Sequence, residues 1–485
     1  MVNRLREAAN VLFGKRQYAA AKTTRLTGDW MPLNQDVNSI IRASSEAVRA
    51  RSRQLVRDFP FFAKAVNTLA NYTVGTGIKF QSQVKGPDGK FDKKIIQQIE
   101  DAIDYAMEEL DVSGMLHGYE MESLAKRQDV ESGEFLFVKV LLKDPNRFIP
   151  YAIQAYEADW LTSAYAKVEA GNELDQGIEF NPNTGKPVAY HFAVPAGYSY
   201  LGMTGTTRTQ RILAENVIHN FKTLRPGQRR GISPFSTAIL VAHDLGDYLD
   251  ATIDVAKLAS KYLAFVKTPD IGGFQKNRTA DDNGQKIESI ENAIIEYLRP
   301  GEDVQFASHN MPGGSFEPFC KFVLRMVAVS TDTTYELLTA DYDSISYSNL
   351  RGIRNDFAVM IKPHSQRHIL HCAQPIRRDI IDWAVRAGRL NLPGYFINPR
   401  PYWQGTYTPP GMESIDPLRE GKAWIEQIQA GLRSPQEVTA GRGRDYEEVL
   451  DEITEAKKMM EERGLTFGDI SKAMQQNPAA LGAAE

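Results

Sequence analysis

His364, His368 and His371 stand four and three residues apart, a spacing that on a helix places three imidazoles along one face. Imidazole nitrogens so arranged can ligate zinc, and a zinc ion held that way would activate water for hydrolysis. The second half of that chemistry is missing. A zincin helix carries a glutamate beside its first histidine, whereas Ser365 stands here, and no carboxylate occurs between Lys362 and Arg378 to act as general base. Arg367, Arg377 and Arg378 would also repel a cation. A metal-dependent hydrolase is therefore the weaker reading, and a polar helix face against a neighbour the stronger one.

Other catalytic patterns are absent from the sequence. No G-x-x-x-x-G-K-[ST] loop is present to cradle a nucleoside triphosphate, and Gly75-Thr76-Gly77 lacks the third glycine and downstream acid of a dinucleotide site. There is no G-x-S-x-G elbow, and Cys320 has no flanking nucleophile signature. Asp341-Tyr342-Asp343 reads as a turn. The chain is expected to be no enzyme, with no cofactor and no metal.

The elements that would position these residues follow from periodicity. Apolar residues at spacings of three and four predict helix over residues 38–75, with a break at Pro60, and again over 92–128. Strands are expected over 135–142, 149–155 and 187–194. A helix opens at Ser233-Pro234, with serine as N-cap and proline in the first turn, and should run to about Phe265. Along it Asp244, Asp247, Asp250, Asp254, Lys257 and Lys261 share one arc of about 140°, acidic first and basic later, opposite an apolar side that includes Leu245, Leu249 and Ile253. Glycine and proline interrupt residues 267–317, apart from a short helix near 287–297, so this segment reads as an insertion between two helices. The second helix covers 318–338. A polar loop over 339–349 follows, then a long helix over 350–388 with kinks expected at Pro363 and Pro375. The tail from Asp416 is helical, broken at 431–435 and 441–443.

Composition bounds the class. The chain has 485 residues, enough for about three ordinary domains, with 42% hydrophobic and 24% charged residues as in globular proteins. Its net charge of −4 is too balanced for a broad nucleic-acid grip. Two distant cysteines, Cys320 and Cys372, fit a reducing compartment. Glu7 and Asn10 interrupt any signal-peptide core, and the charge-free stretch 187–207 holds Pro195, Gly197, Gly202 and Gly205, so neither a leader nor a membrane span is expected. Residues 1–57 carry 11 basic and 4 acidic groups, and residues 413–485 carry 15 acidic and 9 basic. A basic arm and an acidic tail would suit contacts with neighbouring copies or partners.

The order of several segments resembles the lambda-like portal proteins of tailed double-stranded DNA bacteriophages. These segments are Arg49-Ala50-Arg51-Ser52-Arg53 with Leu55-Val56-Arg57, Val74-Gly75-Thr76-Gly77-Ile78, and His219-Asn220-Phe221 leading to Arg225-Pro226-Gly227-Gln228-Arg229-Arg230-Gly231-Ile232-Ser233-Pro234. Tyr335 to Tyr342 and Tyr347-Ser348-Asn349-Leu350-Arg351 continue the series to the acidic helical tail after Asp416-Pro417. Ala340 stands where the family often has glycine before Asp-Tyr, and Leu350 where a small residue is common.

The resemblance implies an α+β, mainly helical portal fold that assembles as a ring, usually a dodecamer, at one capsid vertex. Residues 1–232 would be the wing with its basic arm, 233–265 and 318–338 the stem helices, and 266–317 the clip. Residues 339–349 would be the tunnel loop, with Asp341, Tyr342, Asp343, Ser344 and Tyr347 as its exposed groups. Residues 350–412 would be the wing helix and its connection, and 413–485 the crown. Implied partners are the large terminase subunit, major capsid and scaffold proteins, head-completion or tail adaptor proteins, and double-stranded DNA held weakly and without sequence preference, with no membrane. The implied location is the virion portal vertex, with assembly in the host cytoplasm. The stripe from Asp244 to Lys261 would line the DNA channel, where carboxylates repel phosphates and a few lysines hold the duplex transiently.

Overall fold

The computed structural model describes residues 34–164, 166–194, 208–261, 264–267, 303–306, 316–343, 345–412, 416–442, 444 and 446–463. The expected helix near 287–297 and most of the insertion lie outside them, as does the N-terminal half of the basic arm.

Two helices open the described chain, α1 (Val37–Asp58) and α2 (Pro60–Thr73). The break falls at Phe59, extended at φ −120°, because Pro60 disfavours helical backbone in the residue before it. Strand β1 (Lys79–Ser82) follows, then α3 (Lys93–Glu108) and α4 (Gly118–Glu131). The sequence predicts a single helix over 92–128, but the Asp111 carboxylate accepts from the backbone N–H groups of Met115 and Leu116 and turns the chain. His117 then caps α4 in a box completed by Glu120.

Strand β2 (Glu134–Leu141) is the centre of a three-stranded antiparallel sheet, between β3 (Tyr151–Tyr156) and β8 (Val217–Phe221). Its side chains alternate between two cores. Phe135 and Phe137 pack with α3, α4 and a C-terminal helix, while Leu136 and Val138 pack with a second sheet. That four-stranded antiparallel sheet orders β4 (Glu173–Asp175), β5 (Ile178–Phe180), β6 (Pro187–Val194) and β7 (Arg208–Leu213) side by side.

Ser233 caps a short 3₁₀ turn, Pro234–Thr237, and the long helix α5 runs Ile239–Lys261. It ends before the expected Phe265, which instead lies in β9 (Ala264–Lys267). Strand β9 pairs antiparallel with β10 (Asp303–Phe306), so the insertion leaves and returns at one place. Helix α6 (Phe316–Ser330) comes back toward the body. It stops earlier than the predicted Leu338 at a turn where Asp332 takes φ +54°, and α7 (Tyr335–Thr339) follows as a separate short helix.

The long helix begins at Tyr347, three residues earlier than predicted. Helix α8 (Tyr347–His368) contains Pro363 without ending there. A π-helical segment, Ile369–Ala373, then leads into α9 (Gln374–Arg386). The π register accommodates Pro375, which has no N–H to donate and would crowd an α-helical carbonyl four residues back. Strand β11 (Gly405–Thr408) pairs with β1. The tail forms α10 (Pro417–Gln429), α11 (Pro435–Ala440) and α12 (Tyr446–Glu462), broken where the sequence places the breaks.

Candidate functional site

The three histidines stand in different surroundings. His364 Nε2 lies 3.1 Å from the Asp332 carboxylate and its Nδ1 lies 3.1 Å from Lys126 Nζ. His368 is buried beside Phe135, while His371 falls in the π segment and is exposed. His368 and His371 thus differ in burial although they are three residues apart. Among the described residues no group of three or more histidine, cysteine or acidic side chains is placed to hold a metal ion. Burial, with Lys126 nearby, lowers the His368 pKa to about 3.

The basic runs are spent inside the chain. Arg49 bonds Asp159 at 2.7 Å and approaches Glu134 at 3.5 Å, Arg53 pairs with Asp159 and Glu157, and Arg42 reaches Asp175 at 2.7 Å. Of the RPGQRRGISP run, Arg230 holds Glu134 through bonds of 2.9 Å, and Arg229 pairs with Asp175 and Glu173 while lying over the Phe180 ring. Burial pushes the Glu134 carboxyl upward, but Arg230 and His219 outweigh it and hold the group well below the usual carboxylate range. Gly231 is required because a Cβ there would overlap the Gly133 carbonyl oxygen. These contacts fix the start of α5 against the β2 sheet. Arg42, Arg49 and Arg53 of the expected basic arm thus act as an internal clamp.

Helices α5 and α6 form a pair anchored at one end. Phe235, Ala238, Ile239 and Ala242 before and within α5, and Val327 and Ala328 in α6, enter the core built by α2 and α8. Farther out the pair is joined by Leu245, Val323 and Leu324. There Tyr248 also packs against Phe316 and Phe319, but part of the apolar side is left open: Tyr248, Ile253 and Val255 remain exposed, as do Phe319 and Phe322 on α6, and Val329 is exposed at its root end. Asp244, Asp247, Asp250, Asp254 and Lys257 are also exposed. Lys257 pairs with Asp254 at 3.1 Å, which neutralises one carboxylate of the stripe, and Asp247 lies 3.4 Å from His243. The Lys261 side chain and Ser344 lie outside the described residues.

The loop between α7 and α8 is held at its base. Ala340 takes φ +57°, a left-handed conformation in which glycine is at ease. That explains why glycine suits this position and why alanine here is strained. Asp341 accepts from the Tyr335 hydroxyl at 2.9 Å and lies 3.6 Å from Lys321 on α6. The hydrogen bond from Tyr335 and that from the Asp343 backbone lower the Asp341 pKa. Tyr342, Asp343 and Tyr347 are exposed. Sequence reasoning placed the loop; the hold of Tyr335 and Lys321 on it was not foreseen, although Lys321 sits one turn after Glu317, with which it also pairs at 2.8 Å.

Comparison with known proteins bears on what this arrangement belongs to. A family model described as phage portal protein, lambda family, matches residues 23–364. The chain is 25% identical over 484 residues to a probable portal protein of Halomonas phage phiHAP-1, an alignment covering 95% of this chain and 90% of that protein. Over 275 residues it is 22% identical to portal protein B of Escherichia phage lambda, covering 51% of this chain and 50% of the other. Among solved structures it is similar, at a TM-score of 0.46 and 14% identity, to a chain in the neck of a native GTA particle computed with C12 symmetry; the match covers 80% of this chain and 93% of that one.

Proposed function

The chain belongs to the lambda family of phage portal proteins, and from that premise we propose that it assembles as a ring at one vertex of the capsid and serves as the channel for DNA entry and exit. The observation that carries this reading is the α5–α6 pair. Its root is fixed in the body core, while its outer part exposes Ile253, Phe319 and Phe322 together with a separate charged stripe. Exposed aromatic and aliphatic groups in such number favour burial against another protein surface. A neighbouring copy on each side of a ring would cover them and leave the carboxylates facing water.

In this reading α5 and α6 are the stem, β9 and β10 the root of the clip over 266–317, the Asp341 loop the tunnel loop, and α10 to α12 the crown. Residues 1–232 and 350–412 make the wing. The stripe Asp244, Asp247, Asp250, Asp254, Lys257 and Lys261 lines the channel. Carboxylates there keep the duplex from sticking, since each phosphate contact has to be broken as DNA moves. The clip docks terminase and later the head-completion or tail adaptor proteins, and the ring, dodecameric in the family's manner, helps initiate procapsid assembly with scaffold and capsid proteins. The role is structural, with no catalytic step.

The test is the size of the purified full-length protein by light scattering, with electron microscopy of the particles. A ring with a central opening is expected, and Ile253→Asp with Phe322→Asp should leave single chains. A wild-type chain that stays monomeric at high concentration contradicts the reading. A second test uses Lys257→Ala with Lys261→Ala: rings should form normally while DNA packaging or retention changes. Failure of those rings to form would place the stripe at a subunit interface.

A further inference from the structure

Helix α8 leaves the Asp341 loop with a basic face whose cations pair with no acid among the described residues. Tyr347, Arg351, Arg354 and Lys362 fall within an arc of about 80° at 100° per residue. Phe357 and Ile361 pack into the core beside that arc, and the stripe runs along its solvent edge. Tyr347, Arg351 and Lys362 are exposed and Arg354 is half-buried. A Cβ added at Gly352 would meet nothing, so the first turns are open to approach.

Among the described residues none of these three cations has an ion pair, a hydrogen bond or a ring contact. Most arginines of α1 have an acidic partner, although Arg51 is exposed and in no ion pair among the described residues. On α1, Arg42, Arg49, Arg53 and Arg57 each pair with a carboxylate. The only acid of α8, Asp356, lies on the opposite side of the helix from the stripe. Asp356 is exposed but on that opposite side, Asp343 is the exposed acid of the preceding loop, and Asp341 is already engaged by Tyr335.

We propose that the face Tyr347, Arg351, Arg354 and Lys362 is a contact surface for the phosphate backbone of duplex DNA. The inference rests on the reading of the Asp341 loop as a channel element, because α8 is the continuation of that loop. Arg351 and Lys362 are eleven residues apart, about 16 Å along the helix axis, a length over which one DNA strand presents about five phosphates at roughly 3.4 Å each. The charge is of the right sign and carries no carboxylate to neutralise it. A second copy of the chain would seek apolar anchors as well, and the stripe offers no aliphatic group larger than Ala358. The α5–α6 pair offers them instead, so subunit contact and phosphate contact fall on different helices. Guanidinium groups suit bidentate phosphate contact without reading sequence. Acidic stem and basic α8 would then divide the labour: one keeps the duplex mobile and the other holds it briefly.

The test uses full-length assembled rings and a fluorescent duplex of about 30 base pairs, with the salt dependence of binding as readout. The variant is Arg351→Gln, Arg354→Gln and Lys362→Gln together, compared with wild type and with Lys257→Gln plus Lys261→Gln. The expected result is intact rings whose plot of log affinity against log salt is shallower by about 0.9 for each phosphate that the variant no longer neutralises. An unchanged slope with intact rings overturns the proposal and leaves the channel reading standing. Loss of ring assembly in the triple variant also overturns it, because the face would then be a subunit interface. Wild-type rings that neither bind the duplex nor pass DNA in a packaging assay would instead overturn the channel reading itself.

Discussion

The root of the α5–α6 pair and its outer half are both rich in charged residues, yet the chain uses charge in opposite ways in the two places. At the root Glu134 is fully enclosed and faces Arg230, Arg49 and His219. Farther out Asp244, Asp247, Asp250 and Asp254 stand in solvent. The buried set fixes geometry, since a carboxylate out of water persists only with its partners in place. The exposed set makes only short-range contacts along its own helix, Asp254 with Lys257 and Asp247 with His243, and stays open to whatever approaches. What separates them is burial, which sequence composition does not report.

The largest effect should come from breaking the buried set. Glu134→Ala leaves Arg230 and Arg49 enclosed without their partner and should lower unfolding free energy by about 3–5 kcal/mol, seen as a large fall in the denaturant midpoint. Gly231→Ala should do similar damage, because its Cβ would overlap the Gly133 carbonyl and the two backbones would have to separate. An unfolding midpoint within error of wild type for either variant would show that the root is not the clamp described.

Acid should act on the same region next. The folded state lowers the His368 pKa to about 3, below its ordinary value of about 6.5. Its neutral form therefore contributes stability that is fully present above about pH 6.5 and lost as pH falls toward 3. Asp332, lowered to about 2 mainly by its hydrogen bond with His364, adds a loss between about pH 4 and 2. Chemical denaturation across this range should show the decline, and His368→Phe should flatten its upper part.

Smaller effects belong to the exposed regions. Ala340→Gly relieves a left-handed alanine and should raise stability by less than about 1 kcal/mol, measured as a small rise in the melting temperature. Asp250→Asn should change stability by no more than about 0.5 kcal/mol. A larger loss in the single chain would mean that the stripe is packed within it, which would erase the contrast.

Much of the secondary structure was legible from periodicity, including the strand around Phe135, the two long helices and the breaks in the tail. The loop before Tyr347 and the glycine preference at position 340 were legible as family pattern, and the left-handed backbone supplies the reason. The pairing of the arginines was not legible. Arg49 and Arg230 read as local basic runs because their shared partner, Glu134, is more than eighty residues from either. The π segment at Ile369–Ala373, which holds His371, was not legible in the histidine spacing, which assumes an unbroken α-helix. The division at Asp111 was hidden inside an otherwise helical pattern, where one carboxylate capping two backbone N–H groups decides the turn.

The central claim is that the charged stripe of α5 faces a channel in an assembled ring. Electron microscopy of the assembled full-length protein, at a resolution that distinguishes helices and their rotation, tests it most directly. The account predicts a closed ring in which Asp244, Asp247, Asp250 and Asp254 turn toward an opening wide enough for a DNA duplex, with Ile253 and Phe322 buried between copies. A ring with those aspartates buried between copies and the apolar groups toward the opening would contradict it.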